Sequence, residues 1–111
     1  MAWSIVYYHA DVQRAIMEFP PGIQARYIHL TERMNVFGPN LGMLHTRAMG
    51  KGLFELRLKS KEGIGRVFFG VLTDRTIIML HALLKKTAKT PAREVHIARA
   101  RWRERNKDAD T

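Results

Sequence analysis

The stretch GLFELRLKSKEGIGRVFFGVLTDRTIIMLHALLKK, residues 52–86, decides the fold. Apolar and charged residues alternate from Phe54 to Lys59, so the odd and even positions are expected on opposite faces of a strand. Two further β-prone runs follow, Gly65 to Leu72 and Thr76 to Leu84. Because the turns between the runs are short, the stretch predicts antiparallel neighbours, with three or four strands following Gly42.

Two helices are predicted before this sheet. The first begins after Asp11, which offers an N-cap, and ends at Pro20 and Pro21, and the second ends near Gly38. A short β-prone run, Trp3 to Tyr8, precedes both helices. Apolar residues recur at helical spacing, as Val12, Ala15, Ile16 and Phe19 in the first helix and as Ile23, Tyr27, Leu30, Met34 and Phe37 in the second.

A third helix is predicted after the sheet. Thr90 is its expected cap, Pro91 stands in its first turn and Glu94 near its positive end. Val95, Ala98 and Trp102 form its apolar stripe, and residues 106–111 are expected to be a flexible polar tail. The prediction is therefore one α+β domain, residues 1–111. An N-terminal strand and a two-helix hairpin pack on a four- to five-stranded antiparallel or mixed sheet, and a C-terminal helix follows.

The charge of the chain is strongly basic and unevenly placed. Nineteen Lys and Arg stand against ten Asp and Glu, a net charge of +9, and residues 51–111 carry fifteen of the bases and seven of the acids. Such an excess is typical either of a nucleic-acid partner or of a solvated basic surface. Cysteine is absent, which excludes disulfides and thiolate chemistry and fits a reducing compartment. No apolar run is long enough to span a bilayer, so we expect a cytoplasmic protein without membrane contact.

Several motifs of enzymatic chemistry are missing. The chain has no P-loop, no HExxH helix and no Gly-rich dinucleotide turn. The five histidines, at 9, 29, 45, 81 and 96, include no pair three or four residues apart, so no metal site and no cofactor is expected.

The residues that remain suit metal-free cleavage of RNA. Glu55 and Arg57 share a strand face, Arg66 opens the next strand, and Lys85, Lys86 and Lys89 follow the last one. A base can remove the proton of the ribose 2′-hydroxyl while cations stabilise the charged phosphorane. From spacing alone, Glu55 and Arg57 more often belong to a solvated strand face, and residues 85–89 to a surface loop. His81 is predicted between Met79 and Leu83 on one strand face, where a histidine is more often part of the core than an acid or base. Trp102, Phe68 and Phe69 fit a core better than a base-stacking platform.

The segments GLFELRLK, GRVFF and MLHALLKKTAKTP resemble the phage-derived, HigB-like branch of the RelE superfamily of bacterial toxins. The resemblance extends from the first strand to about Trp102, and it implies a single RelE-like domain. It implies a ribosome-dependent messenger-RNA endoribonuclease that arrests translation. By resemblance, Glu55 is a candidate general base and Arg57 and Arg66 are candidate phosphate ligands. Lys85, Lys86 and His81 are further catalytic candidates, and the candidate RNA-binding residues are Lys59, Thr87, Lys89, Arg99 and Arg103.

The same resemblance implies partners. These are a helix-turn-helix, HigA-like antitoxin encoded beside this gene, the ribosome and messenger RNA, with DNA contacted only through the antitoxin complex. The concave sheet or the first two helices are the expected antitoxin surface. Two other functions remain open at this point: inhibition of DNA gyrase, as in ParE-like relatives, and noncatalytic binding of nucleic acid.

Overall fold

The computed structural model describes residues 2–42, 44–85 and 89–109, so Lys86 and Thr87 lie outside the described residues. The elements are β1 (Ser4–Tyr7), α1 (Ala10–Met17), α2 (Pro21–Phe37), β2 (Thr46–Gly50), β3 (Leu53–Ser60), β4 (Gly63–Leu72), β5 (Thr76–Lys85) and α3 (Ala92–Ala109).

The five strands form one mixed sheet in the order β1-β5-β4-β3-β2. β1 runs parallel to β5, and the other neighbouring strands are antiparallel. The predicted α+β class, with a strand and two helices before the sheet and a helix after it, is confirmed. β2 is an edge strand of five residues that carries a bulge between Ala48 and Gly50.

The two faces of the sheet each support one hydrophobic core. α1 and α2 pack on one face, which we call the hairpin face. α3 packs on the opposite face, which we call the α3 face. The hairpin-face core comprises Val12, Ile16, Phe19, Ile23, Tyr27, Leu30, Met34, Leu56, Leu58, Val67, Phe69, Ile77 and Met79. The α3-face core comprises Leu53, Phe68, Ile78, Leu80, Ala98 and Trp102.

The helix termini differ in detail from the prediction. The ring Nδ1 of His9 accepts a hydrogen bond from the Asp11 backbone N–H at 3.1 Å, so His9 caps α1 and Asp11 lies in its first turn. The carbonyl of Pro91 accepts the Glu94 N–H at 3.0 Å, which places the start of α3 after Pro91 rather than Thr90. α3 also continues to Ala109, so the polar tail predicted from residue 106 is helical for four residues.

α3 is held on the sheet by the turn between β2 and β3. Gly50, Lys51 and Gly52 all have positive φ, at 92°, 55° and 83°. This conformation turns the Lys51 carbonyl toward α3, where it accepts the indole Nε1–H of Trp102 at 3.0 Å. The Trp102 ring also lies so close to Gly70 that a Cβ there would stand 2.4 Å from ring carbons. The turn and the glycine together fix where α3 crosses the sheet.

A bulge in β5 changes which side chains reach the α3 face. Phe69 pairs with Met79 and Phe68 pairs with His81, so Leu80 is an extra residue in the strand. Met79 packs in the hairpin-face core, whereas the ring of His81 stacks on Phe68 of the α3 face, with centroids 6.3 Å apart. The prediction that Met79, His81 and Leu83 share a face is therefore wrong for Met79, because strict alternation is interrupted at Leu80.

Candidate functional site

The polar residues of the α3 face lie in three rows of paired residues that cross β3, β4 and β5, and we call these rows rungs. Neighbouring strands in a rung are about 4.8 Å apart, and successive rungs are about 7 Å apart along the strand. From the α3 end outward, the rungs are Glu55–Phe68–His81, Arg57–Arg66–Leu83 and Lys59–Ile64–Lys85. The second and third rungs bring together four cations from three strands, and Glu55 is the carboxylate beside them.

Glu55 and Arg66 form a buried ion pair. Nη1 of Arg66 donates to Oε2 of Glu55 at 3.2 Å, and each side chain is 1% exposed. The hydroxyl of Thr90 donates to the same carboxylate oxygen at 3.0 Å and so covers the pair from the segment before α3. In this arrangement Glu55 is not accessible to a ribose hydroxyl. The role of general base that the resemblance implies for Glu55 is therefore not supported by the geometry.

Arg57 lies directly opposite Arg66 and is half-buried. Its Nε is buried and has no hydrogen-bond partner among the described residues. The same is true of Oε1 of Glu55. Two guanidinium groups in one rung repel each other unless an anion lies between or beside them. Lys59 is exposed one rung further out, and Lys85 is half-buried across Ile64 from it. The outer two rungs therefore offer positive charge to a bound anion.

His81 is paired with a carboxylate from the first turn of α3. Its Nε2 lies 2.9 Å from Oε1 of Glu94, and both side chains are 16% exposed. The hydrogen bond with His81 lowers the pKa of Glu94, while partial burial opposes this shift. A shallow cavity of about 150 Å³ adjoins the imidazole, with Asp11, Ala82 and Arg101 among its lining residues.

The family model "Phage derived protein Gp49-like (DUF891)" matches residues 14–103. The chain belongs to this Gp49-like family. The match extends from α1 to near the end of α3, and it contains every residue of the three rungs. The predicted resemblance to a phage-derived branch is confirmed at this level.

A solved structure shows the same fold. The crystal structure of the archaeal RelE–RelB complex from Pyrococcus horikoshii OT3 contains a chain that aligns with 79% of this Gp49-like chain and over 100% of its own length. The TM-score is 0.60 and the sequence identity is 18%. The predicted RelE-like fold is thereby confirmed. No curated protein matches the chain.

The predicted site residues that the structure describes, which exclude Lys86 and Thr87, fall into three groups in this Gp49-like structure. Glu55, Arg57, Arg66, His81, Lys59 and Lys85 lie together on the α3 face. Lys89 and Arg103 are exposed outside the rungs. Arg99 donates to the carbonyls of Met49 and Gly50 at 2.9 and 3.1 Å, so its guanidinium holds the β2–β3 turn against α3 rather than facing a ligand.

Two functional candidates were missed in the sequence. Thr90 and Glu94 were interpreted as helix-start signals, but their side chains bond Glu55 and His81 across the sheet. A helix start carries no information about which strand it faces, so the sequence contains no signal for these contacts. The described residues contain no cluster of three or more His, Asp or Glu placed to hold a metal ion. No described helix has the length and apolarity needed to cross a membrane.

Proposed function

We propose that this chain is the toxin of a type II toxin-antitoxin pair and cleaves messenger RNA on the ribosome. The observation that carries the proposal is the concentration of Arg57, Arg66, Lys59 and Lys85 in two adjacent rungs of one sheet face. A fold shared with an archaeal RelE, solved in complex with RelB, supports it, as does membership of the Gp49-like family.

The proposed chemistry uses the substrate's own nucleophile. The ribose 2′-oxygen attacks the adjacent phosphorus and the bond to the 5′-oxygen breaks, giving a 2′,3′-cyclic phosphate and a 5′-hydroxyl end. Arg57, whose buried Nε has no partner in the part of the chain that the structure describes, stabilises the negative charge of the phosphorane. Lys59 and Lys85 hold the flanking phosphates as exposed or half-buried point charges.

The buried pair has a supporting role in this proposal. Glu55 neutralises Arg66 and fixes its guanidinium beneath Arg57 in the same rung. Arg57 is then the guanidinium of the second rung whose charge is available to the substrate. Arg66 and Glu55 act as positioning residues, in place of the direct roles predicted from the resemblance.

Expression of the wild type beside Arg57→Ala tests the proposal. We expect the wild type to stop translation and to leave 5′-hydroxyl ends within translated frames, with both effects absent when initiation is blocked. Arg57→Ala should lower the rate of cleavage by at least about tenfold, because it removes one charge-assisted contact to the phosphorane. Arg33→Ala, an exposed Arg of α2 on the opposite face of the sheet, is the matched control. Continued translation with uncut messages overturns the proposal.

One observation favours a second candidate, a module that binds RNA without cutting it. The carboxylate of the rungs is 1% exposed, so the cations face the ligand without an accessible acidic group beside them. Salt-sensitive binding of RNA or ribosomes with no new message ends would establish this function. Inhibition of gyrase is a third outcome, which a supercoiling assay detects while translation continues.

The proposed partner is a HigA-like helix-turn-helix antitoxin encoded beside the gene, with the ribosome and messenger RNA as targets. The RelE chain of the similar fold was solved with RelB, which supports an antitoxin as the partner class. Coexpression with the adjoining gene should restore growth and yield a complex in size-exclusion chromatography. Restored growth without a complex would show that the inhibition is not by binding.

A further inference from the structure

The first rung leaves open which group removes the 2′-hydroxyl proton. Glu55 is buried beneath Thr90 and paired with Arg66. His81 stands in the same rung, two strands away, and its ring is stacked on Phe68 between them. The imidazole is therefore the titratable group of this rung that remains at the edge of the buried region.

The orientation of His81 is set from α3. Nε2 of the ring lies 2.9 Å from Oε1 of Glu94, and Oε2 of Glu94 lies 3.5 Å from Nε of the exposed Arg93. The stacking contact with Phe68, at an interplanar angle of 12°, holds the plane of the ring. Nδ1 has no hydrogen-bond partner among the described residues. A neutral imidazole that donates Nε2–H to a carboxylate presents Nδ1 as a proton acceptor.

Charged groups reach the ring from each element packed around it. Glu94 and Arg93 approach from the start of α3, and Arg101, two turns further along, lines the adjoining cavity with Asp11 of α1. Arg101 is bound to the Leu80 carbonyl at 2.6 Å, and Asp11 is paired with Arg14 at 2.7 Å. Glu94 is thus the carboxylate in contact with the imidazole.

We propose that Glu94 is a positioning residue that holds His81 with Nδ1 free, so that His81 serves as the general base of RNA cleavage. The inference rests on the proposed function. Nδ1 takes the proton of the 2′-hydroxyl as the bond from the 2′-oxygen to phosphorus forms. The bond from phosphorus to the 5′-oxygen breaks with its electron pair on that oxygen, which takes a proton from solvent. His81 then returns its own proton to solvent, and Glu94 stabilises the transient imidazolium.

Two readouts test this assignment on the full chain. The first is the nitrogen-15 chemical shifts of the His81 ring in wild type, Glu94→Gln and Glu104→Gln. Glu104 is the matched control, because it is another α3 carboxylate with one side-chain hydrogen bond, to Tyr8 at 2.9 Å, away from the rungs. We expect the Nε2–H tautomer in the wild type and in Glu104→Gln. Glu94→Gln should give a mixture, because an amide both donates and accepts.

The second readout is single-turnover cleavage on programmed ribosomes as a function of pH. Glu94→Gln should lower the maximal single-turnover rate constant about tenfold at neutral pH, shift the acid limb of the profile and leave the half-saturating ribosome concentration unchanged, while Glu94→Asp restores part of the rate. Thermal unfolding of each variant shows that it is folded. An acid limb and a tautomer that do not change in folded Glu94→Gln overturn the role of Glu94. A wild type that cuts no message overturns the proposed function itself, and with it the general base.

Discussion

Replacement of Arg66 by alanine is expected to lower the free energy of unfolding as well as to disturb the site. Arg66 and Glu55 are each 1% exposed, and their side chains are 3.2 Å apart. Arg66→Ala leaves the Glu55 carboxylate buried, with the Thr90 hydroxyl as its remaining donor among the described residues. Removing one partner of a buried ion pair costs about 3–5 kcal/mol. This is a large share of the roughly 5–15 kcal/mol by which a domain is stable.

The predicted loss is measurable by thermal and chemical denaturation followed by circular dichroism. At about 4 °C per kcal/mol for a domain of this size, the Tm of Arg66→Ala should fall by about 12–20 °C. Glu55→Ala should lower the Tm as well, because it removes the carboxylate that neutralises the buried Arg66 guanidinium. The double variant Glu55→Leu with Arg66→Met removes both charges. Its loss of stability should be much smaller than the sum of the losses of the two single alanine variants.

Arg57→Ala is the comparison that separates stability from function. Arg57 is half-buried and in the same rung, yet no carboxylate of the described residues depends on it. A loss below about 1 kcal/mol for Arg66→Ala, the range of an exposed pair, would refute the buried-pair reasoning. If the loss is as large as expected, inactivity of Arg66→Ala says nothing about catalysis, and Arg57→Ala becomes the decisive variant.

Three further outcomes follow from the packing and the charges. Gly70→Ala should destabilise by about 1–3 kcal/mol in urea unfolding, because its Cβ would stand 2.4 Å from the Trp102 ring, and an unchanged midpoint would contradict that contact. Lys59→Ala and Lys85→Ala should each reduce the salt slope of RNA binding by about one, with no change in Tm. The lowered pKa of Glu94 means that its stabilising contribution is present above its usual pKa of 4.5 and is lost as pH falls through the lower folded value. The difference in unfolding free energy between wild type and Glu94→Gln should therefore shrink as the pH falls from 6 to 3. A difference that grows over this range would contradict the lowered pKa of Glu94.

The alternation of β3 made half of the site predictable. Glu55, Arg57 and Lys59 were predicted on one face and Phe54, Leu56 and Leu58 on the other, and the structure confirms both sets. The two faces of β3 could be predicted because side chains alternate with a period of two in a strand and the residues of β3 that face the hairpin core are all apolar. The three predicted helices and the antiparallel meander follow from equally local patterns.

The burial of the site could not be predicted from the sequence. Thr90 bonds Glu55 from 35 residues away, and Glu94 bonds His81 from 13 residues away. Both contacts depend on where α3 crosses the sheet, which Trp102, Gly70 and the β2–β3 turn determine together. The parallel pairing of β1 with β5 is likewise a property of the assembled sheet, because no turn joins those two strands.

The extra residue in β5 has a consequence for how this site can be lost. Leu80 is the one position at which the strand changes phase, since Met79 pairs with Phe69 and His81 with Phe68. Deletion of Leu80 would remove the bulge and place His81 directly after Met79, so His81, Leu83 and Lys85 would stay on the α3 face, and only a buried side chain of the α3-face core would be lost. Deletion of Ala82, which pairs regularly with Val67, would instead reverse the faces of Leu83 and Lys85 and so remove Lys85 from the third rung. The effect of a one-residue deletion in β5 should therefore depend on whether it removes the bulged residue or a regularly paired one.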